Sequence, residues 1–109
     1  MTTLEVEILA GETVIGTSQI TAWDWGMAVA GGDFTPTENY EAERHASELE
    51  GEARLPEARL LVRTRGGERV TCELVQVTDW SKSVGDHGRE VALYGLELAD
   101  HFGGPPAYE

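Results

Sequence analysis

One cysteine in 109 residues, Cys72, excludes an internal disulfide framework and suits a reducing compartment. Long apolar runs are also missing, since nothing approaches the ~18 residues that a membrane-spanning helix needs. Positive charge is scarce: 8 Lys and Arg stand against 20 Asp and Glu, for a formal charge of −12. Phosphate backbones and anionic bilayers repel such a chain, so neither a nucleic acid nor a membrane is an expected partner. The opening MTTLEVEILAGE has no basic n-region, and carboxylates interrupt its apolar residues, so it does not read as a signal peptide. A cytoplasmic protein is the expectation.

Catalytic and cofactor motifs are equally sparse. No G-x-S-x-G elbow surrounds Ser18, Ser47, Ser81 or Ser83. Gly31-Gly32 fits neither the Walker nor the dinucleotide spacing. Structural zinc usually takes several thiolates, and calcium loops need oxygen ligands at dense alternating spacing; both patterns are absent. Glu41 and His45 stand four apart and would share a helical face, but such a pair is ordinarily a surface contact of about 0.2–0.5 kcal/mol. Asp86-His87 and His101 add nothing that completes a ligand set. Cys72, between Val70 and Leu74, reads as a small buried residue rather than an activated thiolate. No metal and no cofactor are expected.

What is present is repetition. Residues 19–25 read QITAWDW and residues 76–80 read QVTDW. Leu4, Val6, Ile8, Gly11, Glu12 and Val14 match residues of the second half 56 positions later, from Leu60 to Val70. Gln19, Ile20, Thr21 and Trp23 match Gln76, Val77, Thr78 and Trp80, now 57 positions later. The extra residue belongs in the second strand of the later copy, where the apolar parity changes between Val70 and Val75 and a bulge would absorb it. Each copy reads as a hairpin with period-2 alternation, turned by AGE in one and by Gly66-Gly67 in a primed two-residue turn in the other. A third apolar segment follows in each, MAVAGGDF and VALYGLEL.

Helical signals come next. Thr35-Pro36-Thr37-Glu38 fits a capping box, which predicts a helix over about 36–50 with Ala42, Ala46 and Leu49 buried and Gly51 ending it. A shorter helix is expected from Leu96 to Phe102. The predicted fold is α+β and mainly β: about six strands, as two pseudo-twofold-related strand–strand–strand–helix units, closing a small barrel or sandwich. Residues 1–109 form one domain, with the duplication over about 4–50 and 60–102 and a tail over 103–109. Trp23 and Trp80 would then close the two ends of a shared core. A β-grasp arrangement is the rival topology.

The run from Asp24 to Pro36, with Tyr40 beyond it, carries Asp, then Met27-Ala28-Val29-Ala30, then Gly32-Asp33-Phe34-Thr35-Pro36. It resembles a pattern in small uncharacterised bacterial proteins. The resemblance covers about 20 residues and implies a bacterial source. No activity comes with it.

Two candidate surfaces follow. Aromatic rings beside carboxylates at strand ends can line a pocket, which nominates Trp25, Met27, Asp33, Tyr40 and Trp80 for ligand binding. The alternative is that the tryptophans cap the core with their indole N–H groups satisfied by loop carbonyls. The second surface is charge: residues 1–58 hold 12 Asp and Glu against 2 Arg, and Glu41, Glu48, Glu50 and Glu52 lie in the most acidic stretch. That stretch nominates a basic protein as partner. Without a catalytic constellation the expected function is a non-catalytic binding or protein-interaction module. The alternative is a small-molecule-binding or hydrolytic domain near the tryptophan and aspartate loops. An exposed edge strand also allows a homodimer.

Overall fold

Alternation along Leu4–Ala10 places Val6 and Ile8 inward and Glu5 outward, and this strand, β1, organises the sheet. The computed structural model describes residues 4–24 and 26–96. Strand β1 turns at Gly11, whose φ of +64° favours a residue without a Cβ, and returns as β2 (Thr13–Ile20). A register shift between Ile8 and Leu9 lets both of these side chains be buried. Strands β3 (Ala22–Asp24) and β4 (Val29–Pro36) follow, then a single helical turn, α1 (Ala42–His45). A small hairpin, β5 (Glu48–Leu49) and β6 (Glu52–Ala53), leads to β7 (Leu60–Thr64), β8 (Arg69–Val70) and β9 (Leu74–Asp79). Helix α2 (Ser81–Val84) and a 3-10 turn (Asp86–Gly88) precede β10 (Arg89–Tyr94).

These strands make one unclosed, mixed sheet in the order β6-β5-β9-β10-β4-β2-β1-β7-β8, with β3 also on β4. Only β5 and β9 run parallel; the other described pairs are antiparallel. The chain is therefore mainly β, with little helix. Two junctions bring its halves together. Strand β1 pairs with β7 through Glu7↔Arg63, and β4 pairs with β10 through Gly32↔Val91. Val6, Ile8, Ile20, Val62, Val77 and Leu93 are among the residues of the common core. No helix among the described residues is long and apolar enough to cross a membrane.

The helix expected over 36–50 shrinks to Ala42–His45. Thr35 and Pro36 are not a cap; they end β4, where Thr35 pairs with Thr17 and Pro36 with Gly16. The Thr37 hydroxyl donates to the Val14 carbonyl at 2.8 Å, holding a turn against β2. After Ala46 the backbone goes to the sheet edge: Ser47 N donates to Val77 O at 2.7 Å and Glu50 N to Asp79 O at 2.8 Å. Strand β9 has carbonyls to satisfy on that side, and this demand overrides local helix propensity.

Two further expectations need correction. The Gly66-Gly67 turn is not a primed two-residue turn. Thr64 N donates to Glu68 O at 2.7 Å, which leaves a three-residue loop in which Gly67 alone has positive φ, +95°. Trp23 is partly buried and packs on the core, whereas Trp80 lies outside β9 and is 39% exposed, its ring over Gly51. The bulge expected between Val70 and Val75 is instead a break at 71–73, where the chain leaves β7 at the end of β8 and resumes as β9 on β10 and β5. The helix expected from Leu96, and the tail over 103–109, lie outside the described residues beyond Leu96.

Candidate functional site

Outward residues of β1, β2, β4 and β10 line an open groove of about 970 Å³. Small residues, Ala22, Gly31, Gly32 and Ala92, are part of its lining. Gly32 has a steric reason: a Cβ there would sit 2.2 Å from the Gln19 carbonyl oxygen and 2.8 Å from Ser18 Oγ. The walls carry Glu5, Glu7, Asp33 and Glu90, with Arg65 as the one lining residue that is a Lys or Arg.

These carboxylates are not equivalent. Glu5 accepts from Arg65 Nη1 at 3.1 Å and from Gln19 Nε2 at 3.2 Å. The hydrogen bond from Arg65, aided by Gln19, holds its carboxyl below the usual glutamate range. Glu7 takes Arg63 Nε at 2.6 Å, the shorter of the two Arg–Glu contacts between β1 and β7 or its loop. Asp33 and Glu90 face each other directly across β4 and β10. Neither has a hydrogen bond or ion pair among the described residues. Like charges placed opposite each other on neighbouring strands repel, so this is the uncompensated point of the groove.

A second cluster is buried. Tyr40 Oη donates to Asp79 Oδ2 at 2.6 Å, Ser81 N donates to Asp79 Oδ1 at 2.8 Å, and Arg89 Nε lies 3.4 Å from Oδ2. Asp79 is 1% exposed. Burial alone would raise its carboxyl, but the hydrogen bonds from Ser81 and Tyr40 and the charge of Arg89 outweigh it, and the net shift is downward. Burial, then Asp79 itself, pushes the Tyr40 hydroxyl far above its usual range. Phe34 meets the Tyr40 ring edge-on at 5.1 Å. A tyrosine held this firmly protonated, with its hydroxyl spent on a sealed carboxylate, is a fastener rather than an acid or base. It ties the segment after β4 to the end of β9 and the start of α2.

The predicted ligand set is not brought together. Asp33 lines the groove. Tyr40 belongs to the buried cluster, and Trp80 sits beside it, against Gly51. Met27 is 70% exposed in the turn after β3, with its backbone N–H on Asp24 Oδ1 at 3.2 Å. Trp25 lies outside the described residues. The acidic set divides as well. Glu41 pairs with Arg44 at 2.5 Å. Glu48 and Glu52 lie on the β5–β6 hairpin. Glu50 is occupied, accepting from Lys82 N at 2.9 Å and from the Ser83 hydroxyl.

Sequence reasoning missed Glu5, Glu7 and Glu90 as groove residues, and it missed Arg89. Asp79 carried a readable signal: Asp79-Trp80-Ser81 permits the side-chain-to-backbone turn that Asp79 Oδ1 and Ser81 N form. Burial raises the Cys72 thiol, so it is not poised as a nucleophile. Among the described residues no three His, Cys, Asp or Glu side chains gather as a metal site. What fold and site define is a mainly β, single-sheet protein with an acidic groove. No protein-family model, curated protein or solved structure matches the chain.

Proposed function

We propose that the chain is a non-catalytic interaction module that receives a basic partner in the groove, on a sheet built by internal duplication. One observation carries the functional part: Asp33 and Glu90 are set directly opposite each other without a cation of their own among the described residues, while Glu5 and Glu7 nearby each have an arginine. A lysine or arginine from outside would relieve that repulsion. Gly31 and Gly32 put no side chain into the groove, which favours close approach by an extended chain.

Strand register supports the duplication. Glu7 and Arg63 pair and stand 56 positions apart, the spacing of the first repeated segment. Ser18 and Val75, 57 apart, have partners Phe34 and Leu93, 59 apart. Gly32 and Val91 are also 59 apart, and they pair with each other. Corresponding residues of the two halves thus meet at both junctions, as a pseudo-twofold axis between the halves requires.

The test uses a fluorescein-labelled octa-arginine peptide and anisotropy on the full chain. D33N/E90Q is expected to weaken binding by about 3–10-fold, and E48Q/E52Q, which removes the same charge elsewhere, by less than about twofold. Wild-type affinity should fall steeply as salt rises. Equal losses for the two variants, or salt-independent binding, refute the groove as the contact.

A further inference from the structure

A second opening lies away from the groove and shares no lining residue with it. His45 ends α1 and is 6% exposed. Glu41 N donates to its Nδ1 at 3.0 Å, which leaves the proton of the neutral ring on Nε2. Nothing among the described residues accepts that proton. Nor is Nε2 sealed, because Ser18 Oγ is the single described side-chain atom that is both fully buried and unpartnered. The donor is therefore not fully enclosed. The opening that His45 borders is a cleft of about 400 Å³ between the β1–β2 turn, the 38–45 segment and Glu57-Ala58.

The cleft's chemistry narrows its ligand. A metal ion is disfavoured at this imidazole, since the Nδ1 lone pair takes the Glu41 amide and Nε2 carries the proton. An anion is disfavoured by Glu38, Glu41 and Glu57, against which Arg44 is the single lysine or arginine. Arg44 is already committed, to Glu57 at 2.8 Å and to Glu41 at 2.5 Å. Glu38 has no partner among the described residues. Ala10, Ile15 and Ala58 supply apolar lining for a methylene stem. We propose that this cleft binds a small ligand in which an acceptor carbonyl is joined to a cationic amine or guanidine, such as an amidated basic amino acid. The carbonyl accepts from His45 Nε2–H, the cation sits against Glu38, and the stem lies on the apolar lining. The volume suits a molecule of that size.

The experiment titrates Nα-acetyl-argininamide into the ¹⁵N-labelled full chain and reads the His45 ring nitrogens with the amides of Gly11 and Asn39. Saturable shifts centred on these groups are expected. Ethylguanidine, which keeps the cation and lacks the carbonyl, should bind about tenfold more weakly, because Nε2–H then loses its acceptor. E38Q, at an exposed rim position where unfolding is not at issue, should weaken argininamide binding about threefold. Absence of saturable shifts at His45 overturns the proposal, and so does equal affinity for the two probes. Unchanged affinity in E38Q overturns the placement of the cation. None of these outcomes depends on Asp33 or Glu90, so the groove reading stands or falls separately.

Discussion

Replacing Tyr40 with phenylalanine removes one oxygen from the buried cluster and leaves its packing in place. The ring keeps its edge-on contact with Phe34 and its position under the Arg89 guanidinium, 6.0 Å from the ring centre. What is lost is a 2.6 Å donor to a carboxylate that is 1% exposed. Hydrogen bonds to buried charged groups contribute about 1.5–3 kcal/mol, against about 0.5–1.5 kcal/mol for neutral ones. Asp79 keeps Ser81 N and Arg89, so the loss at neutral pH should be about 2 kcal/mol rather than the larger cost of an orphaned charge. The pH dependence is the sharper signature. Asp79 titrates lower in the folded chain than in the unfolded one. Its stabilisation is therefore complete above the unfolded carboxylate value, near about 4, and is lost as pH falls through the folded value. Below that point Tyr40 serves a neutral acid, and the gap between wild type and Y40F should narrow to about 1 kcal/mol. Urea unfolding followed by tryptophan fluorescence, at about pH 7 and in steps down the acid range until Asp79 is protonated in the folded chain, reads both gaps, with the m-value unchanged. A gap under about 0.5 kcal/mol at neutral pH, or the same gap at both, would refute the claim that the hydroxyl serves an ionised Asp79.

Gly32→Ala should cost about 2–3 kcal/mol in the same urea assay, because the new methyl meets the Gln19 carbonyl, which β2 cannot withdraw without giving up its pairing. A loss below about 0.5 kcal/mol would mean that β2 and β4 are not held this close. Burial, then the Arg44 charge, lowers the His45 pKa, while Glu41 and Glu57 oppose that shift. Its neutral form thus contributes stability that is complete above the unfolded histidine value and is lost as pH falls below it. Between about pH 7.5 and about pH 5 the urea midpoint of wild type should fall relative to that of H45Q, and parallel midpoints would refute the buried neutral ring.

The β1–β2 hairpin was legible because three local signals agree there: the alternation of Leu4, Val6 and Ile8 with carboxylates, the glycine at the turn, and the β-branched return strand. The change of apolar parity between Val70 and Val75 marks where the chain leaves β7 for β10, but parity alone does not distinguish a bulge within one strand from the break between two strands that forms there. The capping-box pattern failed for a reason that lies outside its own residues. Thr35 and Pro36 are claimed by β2, and 47–50 by the free edge of β9, both distant in sequence. Asp33 lines the groove opposite Glu90, 57 positions later, and only strand register puts those two side by side. Tyr40 and Trp80 were grouped as pocket residues because aromatic rings near carboxylates look alike in sequence whether the carboxylate is sealed or open. Here Asp79 is sealed.

The treatment of charge separates structural carboxylates from the pair in the groove. Asp79 has two hydrogen-bond donors and a guanidinium; Glu7 and Glu5 have arginines at 2.6 and 3.1 Å from β7 and the loop that follows it. Across the other junction the opposed residues are both acidic, Asp33 and Glu90. A directly opposed like-charge pair destabilises a sheet by about 0.2–1 kcal/mol, and a single amide replacement removes it. D33N should accordingly raise the urea midpoint of the free protein while lowering its affinity for the octa-arginine peptide, opposite changes from one substitution. A structural carboxylate would lose stability on the same change, and an idle one would gain stability with binding untouched. Only a site that keeps its repulsion for an outside cation predicts both movements together.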